Sequence, residues 1–253
     1  MQQRLRQLSI APGYEQLRDF VVALPERFDL EGEVLHDGRN TLRAYTVDGA
    51  ELVVKRFKRP NLVQRIAYTF FEPSKAERAY RFAGELRSRG VDTPHEVAFL
   101  ELQRGPLLQD SYFVCLRSGD ESLFHVLQRP DFDRDLATQL GDYLARLHEK
   151  GVLHGDLNLG NILHRPADGG RYHFSLIDTN RSHFHQPTRR ECLDNLRRMT
   201  YDRPLMAFVV AAYARARGWD AEATVEEELR LLHRFWMKHH RRNQVKKIFG
   251  KKV

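Results

Sequence analysis

Cysteine is nearly absent: Cys115 and Cys192 are the only two in 253 residues. Neither lies in a Cys-x-x-Cys pair or beside a histidine at zinc-ligand spacing, which excludes a disulfide framework and a structural zinc site and fits a reducing compartment. Long apolar runs are missing too. The longest, residues 205–214, has ten residues, whereas a membrane span takes roughly 18 or more, so it reads as a buried helix. The first twenty residues hold no apolar core of signal-peptide length. No internal repeat or low-complexity segment stands out. A soluble or peripheral protein in the cytoplasm is expected, with a length between one and two domains at roughly 150 residues each.

What is present in excess is positive charge, 41 Lys and Arg against 34 Asp and Glu, and it is unevenly placed. Residues 234–253 hold Arg234, Lys238, Arg241, Arg242, Lys246, Lys247, Lys251 and Lys252 and no acid; the remainder is close to neutral. A basic domain for nucleic acid is therefore not indicated. A second cluster, Lys55, Arg56, Lys58, Arg59 and Arg65, occupies the acid-free stretch between Glu51 and Glu72. With Phe235, Trp236, Val245, Ile248 and Phe249 among its charges, the tail favours an anionic surface as partner.

Along the chain, residues 33–36, 41–47 and 51–57 alternate β-type runs with the turns DGRN and DG, the pattern of a three-stranded meander. A helix follows Ser74, its N-cap, and stops at Gly90; two more strands, VDTPHEVAFLEL and SYFVCLRS, complete five strands and one helix before about residue 118. Beyond that point helices dominate. Leu136, Leu140, Leu144 and Leu147 mark an amphipathic helix that Gly151 ends, and residues 190–206, 205–218 and 222–249 read as further helices. The fold class expected is α+β, with a β-rich lobe over residues 1–117 and a mainly helical lobe over 118–253.

The segment HGDLNLGN, His154 to Asn161, carries the chemistry. Phosphoryl transfer needs an acid to orient or deprotonate the attacking hydroxyl and oxygen ligands for Mg²⁺ on the nucleotide phosphates. Asp156 on a loop leaving a helix supplies the first; Asn161, five residues on, and Asp178, ending the next strand, supply the second. Each alone is explained by turns and caps, but the three in this order, with an apolar helix before and a β-hairpin between, are hard to obtain from packing alone.

The arrangement resembles the catalytic loop and metal strand of the protein-kinase-like fold, with HGD for HRD and Asp178-Thr179-Asn180 for DFG. That resemblance implies a strand lysine and a helix glutamate upstream. ELVVKRF offers Lys55 as the clamp on the ATP phosphates. Glu77 and Glu85 share a helix face; Glu77, nearer the helix start, is chosen as the partner of Lys55, with Glu85 as the alternative. The turn Gly38, Arg39 and Asn40 would cover the nucleotide by topology, although a plain hairpin turn is an equal reading.

Gly155 replaces the arginine that serves phosphorylation-dependent protein kinases, and no peptide-docking platform follows Asp178. Together, VVKRFKRP, SKAERAYRFAGELRSRGVDTP, HGDLNLGNILHR and the cationic tail resemble the Kdo and heptose kinases of the Kdo/WaaP lipopolysaccharide kinase family, from about residue 33 to about 199. The resemblance implies ATP- and Mg²⁺-dependent transfer of phosphate to a Kdo or heptose hydroxyl of the lipopolysaccharide inner core, at the cytoplasmic face of the inner membrane. Lys58, Arg59, Arg65 and Arg181 would meet the anionic glycolipid, and the tail an anionic membrane. Rival readings are a RIO- or Bud32-like atypical protein kinase or ATPase, a small-molecule phosphotransferase, and a non-catalytic pseudokinase or RNA-binding module. His183, His185, His239 and His240 lack the acid or cysteine company of a metal site, and no metal beyond Mg²⁺ is expected.

Overall fold

The computed structural model describes residues 3–248, with side chains to residue 241 except His239. The chain divides into two compact units, residues 1–119 with 178–180, and residues 120–177 with 181–253. The α+β class expected from the sequence is the class observed.

The first unit is built on a six-stranded antiparallel sheet. Its strands are β1 (Arg4–Ile10), β2 (Glu33–Asp37), β3 (Thr41–Val47), β4 (Ala50–Arg56), β5 (Glu96–Arg104) and β6 (Leu107–Leu116), in the order β1-β5-β6-β4-β3-β2. Three helices join it: α1 (Arg18–Arg27), α2 (Leu62–Phe70) and α3 (Lys75–Ser88). Strand alternation sends Leu52 and Val54 of β4 into one core with Phe20, Val21 and Leu24 of α1. On the other side, Phe57 and Phe99 pack with Ala76 and Ala79 of α3 in a second core.

Ser74 caps α3 as expected, its hydroxyl accepting from the Ala76 and Glu77 amides. The count of five strands and one helix falls short by β1, α1 and α2, of which β1 and α1 carry weak signals. Strand β1 is written largely in polar residues, and α1 has Pro25 in its interior, a residue that removes a helix hydrogen bond.

In the second unit, β7 (Glu121–Ser122), β9 (Ile162–Ala167) and β10 (Arg171–Leu176) form a small sheet in the order β10-β9-β7, and β8 (Val152–Leu153) pairs with β11 (His183–Phe184). The helices are α4 (Leu123–Leu127), α5 (Arg134–Glu149), α6 (Arg189–Leu196), α7 (Arg203–Ala216) and α8 (Ala221–Ile248). Leu136, Leu140, Leu144 and Leu147 are all buried on α5, and α5 packs on α7, which packs on α8. The single helix expected over 190–206 is two elements: α6 stops at Leu196, and Asp202 starts α7 afresh by accepting from the Leu205 amide. Of the basic tail, Arg234, Lys238 and Arg241 lie on α8. The side chains of Arg242, Val245, Lys246, Lys247 and Ile248, and all of Phe249, Lys251 and Lys252, lie outside the described residues.

Candidate active site

Lys55 reaches its position through strand alternation. Its neighbours Leu52 and Val54 face the α1 core, so its own side chain leaves the opposite face of β4, beside Phe57, with the ammonium 5.2 Å from that ring's centroid. There Nζ donates to Asp178 Oδ1 at 2.6 Å. The same Oδ1 accepts from Asn180 Nδ2 at 2.5 Å, which leaves Oδ2 of Asp178 outside both bonds. Asp178 holds φ at +56°, a left-handed conformation uncommon for a residue with a side chain and concentrated where surrounding structure and function enforce it.

The loop after β8 is organised by its own polar atoms. His154 is fully buried, and its Nε2 donates to the Ile177 carbonyl at 2.8 Å, which fixes the tautomer. The Ile177 amide donates to the Asn161 carbonyl at 3.0 Å, so the residue just before Asp178 is stitched to the residue five positions after Asp156. Gly155 takes φ +56°, and a Cβ there would lie 2.1 Å from the Arg181 carbonyl oxygen. Only glycine permits the two backbones to come this close. That gives the departure from HRD a local cause.

Asp156 is about one-third exposed through its side chain and accepts from Arg181 Nη1 at 3.1 Å. Its carbonyl oxygen accepts from Asn158 Nδ2 at 3.1 Å and Asn161 Nδ2 at 2.9 Å. With the Asn161 amide nitrogen engaged in this way, its Oδ1 lies outside that bond. Among the described residues no group of three or more His, Cys, Asp or Glu side chains could hold a metal.

The chain matches the Lipopolysaccharide kinase (Kdo/WaaP) family over residues 30–217. It belongs to that family. The 3-deoxy-D-manno-octulosonic acid kinase of Vibrio vulnificus (strain CMCP6) is 24% identical over 131 residues, which cover 50% of this chain and 56% of that protein. The protein of the same name from Vibrio cholerae serotype O1 is 23% identical over 146 residues, 55% of this chain and 62% of that one. The chain thus spans little more than half the length of the curated relatives it matches. Among solved structures, WaaP in complex with acyl carrier protein superposes with a TM-score of 0.62 at 19% identity, covering 93% of this chain and 98% of that chain. The likeness is one of fold.

Within this Kdo/WaaP family chain several expected partners are reassigned. Glu77 does not pair with Lys55: its carboxylate lies 3.4 Å from Arg81, one helical turn along α3, the contact that i,i+4 spacing favours. Glu85 is drawn in the same way to Arg89, at 2.7 Å. Asp178 is the acid that meets the lysine.

Gly38, Arg39 and Asn40 form the turn from β2 to β3, where Asn40 Oδ1 accepts from the Lys58 amide at 3.1 Å. Arg39 lines a cavity of about 470 Å³ with Arg56, Lys58, Arg59, Asp29 and Asp110. Arg56 follows Lys55 on β4 and so points to the other face of the sheet. Arg59 is held by both carboxylate oxygens of Asp110, at 2.6 and 2.9 Å, and Arg65 Nε donates to the Leu108 carbonyl at 2.8 Å. Both therefore already serve the fold, whereas the Lys58 side chain has no ion pair or hydrogen bond among the described residues.

The catalytic-loop and metal-strand motifs assign no role to Asn158 or Asn180. Their signal is only their place, two residues after Asp156 and two after Asp178, from which a short amide side chain reaches back.

Proposed function

We propose that the protein is an ATP-dependent kinase that transfers the γ-phosphate to a sugar hydroxyl, Kdo or heptose, of the lipopolysaccharide inner core at the cytoplasmic face of the inner membrane. The observation that carries this reading is the Lys55–Asp178 bond of 2.6 Å, made by the strand lysine and the strand-end acid that the phosphotransfer pattern requires, in a chain of the lipopolysaccharide kinase family.

In this reading residues 1–117 bind the nucleotide and residues 118–253 present the acceptor. Asn161 Oδ1 and the Asp178 carboxylate would be the oxygen donors for Mg²⁺, which would supply charge neutralisation for the transferred phosphate. Lys55 holds phosphate oxygens as a point charge beside Asp178. Asp156 orients the acceptor hydroxyl and takes its proton as the oxygen–phosphorus bond forms and the bond to the leaving β-phosphate oxygen breaks. Arg181, bound to Asp156 at 3.1 Å, fixes that carboxylate's direction, and as a half-exposed cation it would meet the carboxylate of an anionic acceptor such as Kdo. Gly155 supports the same geometry by letting the two backbones touch.

Membrane contact through the basic end of α8, where Arg234, Lys238 and Arg241 lie, belongs to the same reading, since cationic side chains near an anionic leaflet contribute on the order of 1 kcal/mol each. The test is direct. Purified protein incubated with radiolabelled ATP, Mg²⁺ and Kdo-bearing lipid A should place the label on the sugar, and Asp156→Ala should not. Label on the protein itself, or on a soluble aminoglycoside in preference to the glycolipid, would replace this reading.

A further inference from the structure

Helix α2 is mounted the wrong way round for a water-soluble surface. Gln64, Arg65, Tyr68 and Thr69 face its own chain, while Leu62, Val63, Ile66 and Phe70, with Phe71 at the C-cap, are 62%, 76%, 41%, 61% and 81% exposed. At 100° per residue the four helical positions fall within about one third of the circumference. No residue of the helix is buried. A surface helix ordinarily turns this stripe inward.

The polar face explains how α2 is held in this attitude. Asn61 and Gln64 close a capping box at its start. At its end Arg6, itself bonded to buried Glu101, donates to the Tyr68 and Thr69 carbonyls at 3.3 and 3.1 Å. Arg65 Nε donates to the Leu108 carbonyl at 2.8 Å, and the Thr69 hydroxyl accepts from the Leu108 amide at 3.0 Å. The Arg78 guanidinium lies 5.6 Å from the Tyr68 ring centroid. Polar bonds at both ends and in the middle therefore fix the helix with its apolar stripe outward.

The charge around the stripe identifies what covers it. From residue 52 to residue 71 the chain has five Lys or Arg and no acid. Lys58 and Arg59 lie three and two residues before the Asn61 cap of α2; Arg59 is paired with Asp110 and Arg56 with Asp29, which leaves Lys58 as the cation beside the stripe without a carboxylate partner among the described residues. An apolar stripe of Leu, Val, Ile and two Phe with a cation beside it is the chemistry of a helix lying in a membrane interface. Among the described residues no helix is long and apolar enough to cross a membrane, so the association this chemistry supports is interfacial.

We propose that α2 is a membrane-interface element: Leu62, Val63, Ile66, Phe70 and Phe71 enter the headgroup region of an anionic bilayer while Lys58 meets lipid phosphates. This assignment goes beyond the basic tail and does not rest on the kinase reading, because it is read by lipid binding alone.

The test is cosedimentation of the full chain with vesicles of phosphatidylethanolamine and phosphatidylglycerol. The double variant Phe70→Ser/Phe71→Ser should keep the parent's melting temperature, since both rings are exposed, and should lose roughly tenfold or more in vesicle partitioning. Val63→Trp should shift its emission to shorter wavelength on adding these vesicles, relative to the parent spectrum. Lys58→Glu should weaken binding to phosphatidylglycerol vesicles more than to neutral phosphatidylcholine vesicles. Unchanged partitioning of the double variant, or a Val63→Trp spectrum indifferent to vesicles, would overturn the proposal. So would a lipid-free parent that sediments as a dimer and a double variant that sediments as a monomer, because the stripe would then belong to a second copy of the chain.

Discussion

Polar side chains are treated in opposite ways in the loop after β8 and in the helical bundle of the same unit. In the loop, Asp156 is partly exposed, tied to Arg181 at 3.1 Å, and surrounded by amides that bind its carbonyl rather than its carboxylate. In the bundle, His148 on α5 and Glu228 on α8 are fully buried. His148 has two partners, the Tyr213 hydroxyl at 2.9 Å and Asn195 Oδ1 at 3.1 Å. Both carboxylate oxygens of Glu228 lack a hydrogen-bond partner among the described residues. A partly exposed acid with a cationic neighbour can exchange that neighbour for a ligand at little cost, whereas a sealed group can respond only by losing its charge. Reactivity and stability should therefore separate cleanly between the two regions.

Asp156→Ala tests the separation with the largest effect. If the loop is built for reaction, kcat should fall by a factor on the order of 10³ or more, while the melting temperature stays near the parent's because Arg181 is left half-exposed to water. A large loss of stability without a disproportionate loss of kcat would erase the distinction. Gly155→Ala should blur it on purpose. A methyl group 2.1 Å from the Arg181 carbonyl, at φ +56°, must push the two backbones apart, at a cost of about 3 kcal/mol or more. Activity and unfolding free energy, measured together, should both drop.

The two regions also differ in how far the sequence announced them. His154 to Asn161 and Asp178 were legible because phosphoryl transfer dictates residue types at set spacings, and no packing rule yields that order. The pairing of Lys55 with Asp178 rather than Glu77 was not, since i,i+4 neighbours Arg81 and Arg89 compete for the helix glutamates and a motif does not encode that competition. The leucines of α5 declared a buried face through their spacing. Helix α2 has equally regular apolar spacing, but periodicity reveals only that a helix has two faces. Which one turns inward was decided by Arg6, Arg65 and Leu108 at long range. The buried charge of Glu228 left no trace, because an acid in the text of an amphipathic helix reads as solvent-facing.

Within the bundle, His148 supplies the next test. Burial pushes its pKa down to about 4 from 6.5, against the opposing bond to Asn195, and Arg217 adds to the lowering. The folded chain therefore binds fewer protons than the unfolded one across this interval, and the stability that depends on neutral His148 is present above pH 6.5 and lost as pH falls towards 4. The loss should approach about 3 kcal/mol near pH 4. Urea unfolding of the parent and of His148→Gln, from pH 7 to pH 4, should show the parent's acid slope reduced in the variant; parallel curves would remove His148 as its source.

Glu228 gives the smaller effect and the opposite sign. Burial raises its pKa from 4.5 to about 8, with Arg197 pulling it down and Asp194 and Glu227 pushing it up. Arg197 is already engaged by Asp194 at 2.6 Å, which weakens its claim on the buried acid. The folded chain keeps a proton that the unfolded chain releases at pH 4.5, so this contribution to stability is complete below pH 4.5, declines as pH rises, and is gone above about 8. Glu228→Gln removes the titration and leaves a neutral group of the same shape, which must still go without partners, so its gain at pH 9 should be about 2 kcal/mol, less than the full linkage would give. Near pH 4 variant and parent should unfold alike. A constant offset between them at every pH would show that Glu228 is not the sealed acid and that the contrast with the loop is one of packing alone.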